Sequence, residues 1–308
     1  MVLSFILDTL IYAGIFGILG ISLNLEAGFT RLTNFGKVAF FAIGAYTTAL
    51  LTLNGAPYII GLIASIALAA FAGFLIALPT LRLRADYFAI VTVTSGEILR
   101  VFLSSEEWLT QGFLGLAGIP RPLSNLFGEN YLLFFTLLVF LYLFFCYLIS
   151  RRIIYSPFGR VLKAIREDEI AAQSLGKDVF SFKAKSLIIG SGMAGMAGNL
   201  FAHHLTFISP DMFLPGITFS IWVIVVIGGM GNIAGPILGA LLIETFERGM
   251  SFIKDYVIMP IEPLNFRIIV IGLLLIFFVL YRPDGILGEK KLEMSMEELQ
   301  RKRGKVTA

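Results

Sequence analysis

The residues that could do chemistry are few. Embedded in apolar sequence stand Asn24, Glu26, Glu97, Arg100, Asn199, Glu244 and the adjacent pair His203 and His204. Each ionisable group is expensive in hydrocarbon, so most should face a bundle interior, a partner or water. Glu97 and Arg100 lie three residues apart, share one helical face and can neutralise each other. Asn24 and Glu26, near the inner end of the first apolar run, fit an interfacial position better than a proton relay. Neighbouring histidines point to different faces of a helix, which makes a poor metal pair and leaves an interfacial, partly solvated role. No file of carboxylates runs along one helix, which weighs against a proton-driven carrier. The sequence has no G-x-x-x-x-G-K-[ST]. Gly36-Lys37 and Gly176-Lys177 lack both the upstream glycine and the following hydroxyl, so the chain does not cradle ATP itself. There is no H-E-x-x-H, no G-x-S-x-G and no cysteine cluster, so no catalytic set, no metal set and no cofactor are expected.

The elements that must carry these groups follow from composition. At 308 residues with 57% hydrophobic and 15% charged residues, the chain has too much apolar surface for one soluble core. Its mean hydropathy is +0.86. Several runs suffice to cross about 30 Å of hydrocarbon, so the expected class is an all-α, polytopic helical membrane protein with about eight or nine spans. The spans are placed at 5–26, 38–53, 58–79, 87–103, 131–149, 186–205, 216–227, 236–245 and 266–281. The seventh and eighth are short and could form one broken helix or a re-entrant pair. The first run has no preceding Lys or Arg and no small-residue cleavage site, which reads as a retained span. Residues 1–288 form the expected transmembrane domain and 289–308 a charged tail. Cys146, the single cysteine, excludes an intrachain disulfide.

Between the fifth and sixth spans lies the densest charged segment, GRVLKAIREDEIAAQSLGKD, residues 159–178. It demands water. If it is cytoplasmic, nine crossings place 30–37, 81–86 and the tail on the same side. Of 24 Lys and Arg, 19 then fall there, Arg31, Lys37, Arg82 and Arg84 among them, which is the positive-inside bias. On the opposite side the longest connection, 104–130, carries Glu106, Glu107, Trp108 and TQGFLGLAGIP, and a loop this long usually has a task.

Read as a helix from about Phe158, the charged segment repeats Val161, Ala164, Ile165, Ala171, Ala172 and Leu175 at three- and four-residue spacing, and Gly176 supplies a stop. The periodicity alone admits either a helix lying on the membrane surface or one docked in a partner's groove. Elsewhere Gly190, Gly192, Gly195 and Gly198, and Gly231, Gly235 and Gly239, read first as close helix packing.

Several segments together resemble one family. Glu169, Ala171, Ala172 and Gly176 form an E-x-A-A-x-x-x-G core similar to the EAA loop of ABC importer permeases, and SPFGRVLKAIREDEIAAQSLG resembles its form in branched-chain amino acid permeases of the LivM type. LNLEAGFTRLTNFGKVAFFAIGAYTTALL from Leu23, LRLRADYFAIVTVTSGEILR (81–100), TQGFLGLAGIP (110–120), GGMGNIAGPILGA (228–240) and RPDGILG (282–288) resemble further segments of that family, in order. The chain departs at Ala85, where the family has glycine, and at Thr110-Gln111-Gly112, where it has T-G-G. The resemblance implies a permease subunit working by alternating access, with two cytoplasmic ATPase subunits, a second, LivH-like permease and an external substrate-binding protein as partners, all around the lipid bilayer. It assigns ATPase coupling to Gly159, Arg160, Ile165, Arg166, Glu169, Ala171, Ala172 and Gly176, and offers Gly228, Gly229, Gly231, Asn232 and Gly235 as pathway or gate. Related permeases for urea and short-chain amides share much of the pattern. A secondary transporter or channel is the rival outside the family.

Overall fold

The computed structural model describes residues 2–81, 85–253, 263–282 and 284–289; the side chains of 85, 86, 125, 251–253, 263–268 and 279 fall outside that description. Residues 82–84 of the LRLR element, and the charged tail from 290 onward, therefore lie outside the described residues.

Apolar runs without interior breakers close their backbone hydrogen bonds within themselves, and the chain is accordingly helical. In order come α1 (Val2–Thr30), α2 (Lys37–Leu53), α3 (Tyr58–Thr80) and α4 (Ala85–Ser105). The outer loop holds two single turns, α5 (Glu107–Thr110) and α6 (Ser124–Phe127), with strand β1 (Leu116–Ala117) between them. Then follow α7 (Tyr131–Ile154), α8 (Pro157–Glu167), α9 (Glu169–Ser174), α10 (Val179–Leu205), strand β2 (Phe207–Ile208), α11 (Pro215–Gly228), α12 (Gly235–Ile253) and α13 (Pro263–Tyr281). Among the described residues, five helical stretches are long and apolar enough to cross a membrane, and α2 is a shorter apolar helix. The protein is an all-α polytopic membrane protein.

The spine is α10, packed against α3, α2 and α1, while α1 also carries α7 and α12. Small residues permit this. A methyl on Gly44 would sit 2.2 Å from the Gly195 carbonyl oxygen, and one on Gly195 would sit 2.4 Å from that of Ser65, so three backbones touch where side chains are missing. The packing role read for the α10 glycines holds. Asn199, buried at the same level, donates from Nδ2 to Thr48 Oγ1 at 2.9 Å and ties α10 to α2.

The seventh and eighth apolar runs are two separate helices, not one broken helix. They are α11 and α12, an antiparallel hairpin in which Gly228 meets Gly235 and Gly239 meets Ile224 across the pair. The outer loop is strapped down. β1 pairs antiparallel with β2, Leu116 opposite Ile208, and Gly115 enters the strand with φ +74°, its Cα against the Ile208 carbonyl.

The stretch 31–36, expected as an aqueous loop, is folded into the bundle instead. Leu32, Asn34 and Gly36 are buried, and so is Lys37 at the head of α2. Irregular backbone survives at this depth because neighbours satisfy it: Leu32 N–H reaches Glu26 O, Phe35 N–H reaches Thr92 Oγ1 at 3.1 Å, and Trp222 Nε1 donates to Asn34 O at 3.0 Å. Lys37 consequently leaves the group of loop cations that supported the topology.

Candidate functional site

The charged segment is two helices, not one. Ser156 caps α8 with Pro157 at its first position, and Asp168 breaks the run with φ −149°. The Asp168 carboxylate then caps α9 by accepting from Ile170 N at 2.9 Å and Ala171 N at 3.0 Å. The break occurs because Asp168 satisfies a new helix start better than it would continue an old one. Gly176, at φ +75°, reverses the chain, and Asp178 caps α10 through Ser181 N.

Of the apolar strip read from the sequence, Ile165 and Ala172 face the protein's own interior, Val161 is half-buried, and Ala164, Ala171 and Leu175 are exposed. Leu162 and Ile165 are buried in α8 and Ala172 in α9; Leu162 packs with Leu25, Phe29 and Ile154, and Ile165 with Ala172 and Val179. A strip free to enter a partner's groove, as the periodicity suggested, is therefore not what α8 offers. The residues left outside include Tyr155, Arg160, Ala171, Ile170 and Leu175, the last two 76% and 79% exposed. The sequence-read coupling residues divide accordingly. Gly159 packs against the Ile154 carbonyl, and Ile165 and Ala172 fill the interior. Glu169 holds Lys183 of α10 at 2.6 Å, Gly176 makes the turn, and Arg160 and Ala171 remain accessible.

Arg166 is the joint. Its Nη1 donates to the Gly28 carbonyl of α1 at 3.0 Å and pairs with Glu289 Oε2 at 2.7 Å, and Lys163 reaches the other Glu289 oxygen at 3.0 Å. Burial alone would raise the Glu289 carboxyl, but the bonds from Arg166 and Lys163 outweigh it and hold it below the usual carboxylate range. Burial works against the Arg166 charge too, yet Glu289 and Glu167 keep the guanidinium above its ordinary value.

The glycine turn 228–235 lies in the same cluster. Asn24 clamps it from α1, donating to Asn232 O at 2.8 Å and accepting from Gly231 N at 3.0 Å. Gly231, at φ +79°, passes so close that a Cβ there would lie 2.9 Å from both Arg166 Nη1 and Glu289 Oε2. The RPDGILG segment closes the other side, Ile286 N donating to Ile227 O at 2.9 Å and Leu287 N to Gly228 O at 3.0 Å. The structure thus brings Arg166 together with Gly228, Gly229, Gly231 and Asn232, and Gly235 opens α12 beside them.

Three groups behave differently from the sequence reading. Asn24 and Glu26 are 1% and 0% exposed, buried rather than interfacial. Glu26 is held by Lys37 Nζ at 2.5 Å and Asn34 Nδ2 at 2.9 Å. His203 is 1% exposed and bonded through Nδ1 to Pro120 O of the outer loop, so it lacks the expected partly solvated place, whereas His204 is half-buried and meets Asp8 at 2.8 Å. The Glu97–Arg100 pair forms as expected, Nε to Oε1 at 3.0 Å, and gains Asp211 at 3.6 Å. Sequence reasoning missed Glu289, Asp211, Asn34 and Lys37 as partners. All but Lys37 stood in segments read as turns or loops, and Lys37 was counted as a loop charge.

Known proteins share this chain. The family described as branched-chain amino acid transport system / permease component matches residues 5–279. The high-affinity branched-chain amino acid transport system permease protein LivM of Escherichia coli (strain K12) is 34% identical over 307 residues, 92% of this chain and 70% of that one. The probable LivM permease of Methanocaldococcus jannaschii is 28% identical over 325 residues, 92% of this chain and 93% of its own. The LivH permease of Salmonella typhimurium is 31% identical over 140 residues, 45% of this chain and 42% of that one. No solved structure matches. With the match covering nearly all of the described helices, the chain belongs to the family of branched-chain amino acid transport permease components.

Proposed function

We propose that this chain is a membrane permease subunit of an ATP-driven importer for branched-chain amino acids, moving them into the cytoplasm by alternating access. The observation that carries the reading is the Arg166 joint. In the helix pair at the surface, α8 is bonded to α1 and to the segment after α13, and the α11–α12 turn passes close against its Arg166. A push on α8 and α9 thus moves several span ends at once, as coupling to a motor requires. The chain has no P-loop, so the motor is a separate pair of cytoplasmic ATPase subunits docking on Tyr155, Arg160, Ile170, Ala171 and Leu175. The charged end of the bundle is then cytoplasmic, the tail with it.

At the opposite end, Glu97, Arg100 and Asp211 form an ion-paired group whose side chains are 41%, 20% and 66% exposed. Charges left this open on a span do not face lipid, so this surface meets water or the second permease, one resembling LivH, along the shared path. The strapped loop 104–130 is the landing surface for an external substrate-binding protein.

Ala171→Arg tests the coupling. Ala171 is exposed, so a long cation fits without disturbing the core, whereas a side chain at Gly176 would add backbone strain at φ +75°. In proteoliposomes holding the complete importer, Ala171→Arg is expected to abolish ATP-dependent leucine uptake while the folded chain is recovered normally. Wild-type uptake by that variant would overturn the assignment of this surface.

A further inference from the structure

Beside the Arg166 joint, α7, α8 and the α11–α12 turn enclose a cleft of about 500 Å³ that the coupling reading does not use. Its walls are chemically divided. Arg151 and Lys163 supply two cations, and Phe29, Tyr147, Ile154 and Ile233 supply the apolar remainder. Lys163 is shared with Glu289, which also lines the cleft, and lies 5.7 Å over the Phe29 ring. Arg151 has no carboxylate partner among the described residues and is exposed. The Glu289 carboxylate is matched by Lys163 and Arg166 together, so Arg151 leaves the cleft with excess positive charge.

Beside the cleft, α7 and the α12 that follows the turn both pack on α1. Both helices lie on the same face of α1, because a methyl on Gly17 would touch Leu143 of α7 at 3.2 Å and Ala240 of α12 at 3.8 Å. From Arg151 toward the middle of the span, Leu148 and Phe144 continue one stripe of α7 at helical spacing, 39% and 56% exposed. Leu241 and Leu242 of α12 are also exposed. A soluble anion would satisfy the guanidinium but leave the aromatic half of the cleft and the stripe above it bare. A molecule with a phosphate at one end and hydrocarbon at the other satisfies both, and basic pockets between spans on the cytoplasmic side have that preference.

We propose that this cleft is a binding site for an anionic phospholipid of the adjoining leaflet, its phosphate between Arg151 and Lys163 and an acyl chain along Leu148 and Phe144. The bound headgroup links α7 to α8 next to Gly231 and so stiffens the joint.

Binding is read without transport, so the proposal stands or falls separately from the importer reading. The full-length chain in nanodiscs is titrated with phosphatidylglycerol or phosphatidylcholine, and retained lipid is counted by native mass spectrometry. Each cation in contact with the bound headgroup is worth about fivefold in affinity, so Arg151→Gln/Lys163→Gln should weaken phosphatidylglycerol binding by roughly 25-fold. Arg152→Gln removes the same charge one residue away, outside the cleft, and should change binding less than about twofold. Arg151→Lys, which keeps the charge, should retain it and guards against misfolding as the cause. Equal phosphatidylglycerol affinity in wild type and double variant overturns the proposal. So does equal binding of phosphatidylcholine, a uniform loss in Arg152→Gln, or complete displacement by millimolar inorganic phosphate, which would identify a soluble anion.

Discussion

Lys37→Met isolates the cost of the buried ion pair. Lys37 and Glu26 are both 0% exposed, with Nζ and Oε1 2.5 Å apart and Asn34 the other side-chain donor to the carboxylate. Methionine keeps most of the lysine stem and its volume, so packing changes little and the lost quantity is the charge. The Glu26 carboxylate then stays enclosed with one neutral donor. Removing one partner of a buried pair costs about 3–5 kcal/mol, a shift of roughly 10² to 10³·⁵ in the folding equilibrium. Glu26→Gln should cost a similar amount, because it strands the ammonium. The double variant Glu26→Gln/Lys37→Met removes both charges and should recover most of that loss, to within about 1–2 kcal/mol of wild type, since a neutral pair carries no desolvation debt. Reversible unfolding in mixed micelles by increasing detergent mole fraction measures all four corners of the cycle. Two results would refute the reasoning: a Lys37→Met loss below about 1 kcal/mol, or a double variant as unstable as the sum of the singles.

Arg166→Gln should leave the helices formed but lower leucine uptake per ATP hydrolysed by severalfold in proteoliposomes, since the bonds to Gly28 and Glu289 go together. Because Glu289 is held below the carboxylate range, its pairing contributes fully above about pH 4.3 and is lost as pH falls through the lower folded value. Wild type should therefore lose stability on acidification below that point, and Glu289→Gln, already lacking the charge, should show a shallower slope in thermal scans at stepped pH. Asn24→Ala strands Gly231 N and leaves Asn232 O with Gly235 N alone, and should destabilise by about 1–3 kcal/mol, with faster hydrogen exchange confined to 228–235. Gly115→Val forces a side chain into φ +74° against Ile208 and should expose 104–130 to protease while the spans remain intact.

The long helices were legible because length and apolarity alone decide them: α3 and α7 lie within a few residues of where hydropathy put them. What the sequence could not show is what a face rests against. The period of Ile165 and Ala172 marks one side of a helix, but the same period serves a foreign groove and the protein's own interior, where these two pack with Val179 of α10, and Leu162, outside the period, packs on α1 and α7. Lys37 illustrates the second blind spot. A lysine after a turn reads as a solvated loop charge, and nothing local says that Glu26, eleven positions back, will meet it in the interior. The glycine turn was recognised by composition, yet its contacts with Asn24 and the 286–287 backbone join residues more than fifty positions apart. That Asp168 starts a second helix became clear only from the amides it caps.

The Arg166 joint also sets an order of assembly. Its partners stand at Gly28, before α8 in the chain, and at Glu289, after α13. Helices emerge from the ribosome in chain order, at about 5–20 residues per second, and a chain stopped before residue 286 would lack the Glu289 bonds to α8 and leave the glycine turn open on one side. The α8 surface would therefore reach its final form only once the segment that follows α13 has been made.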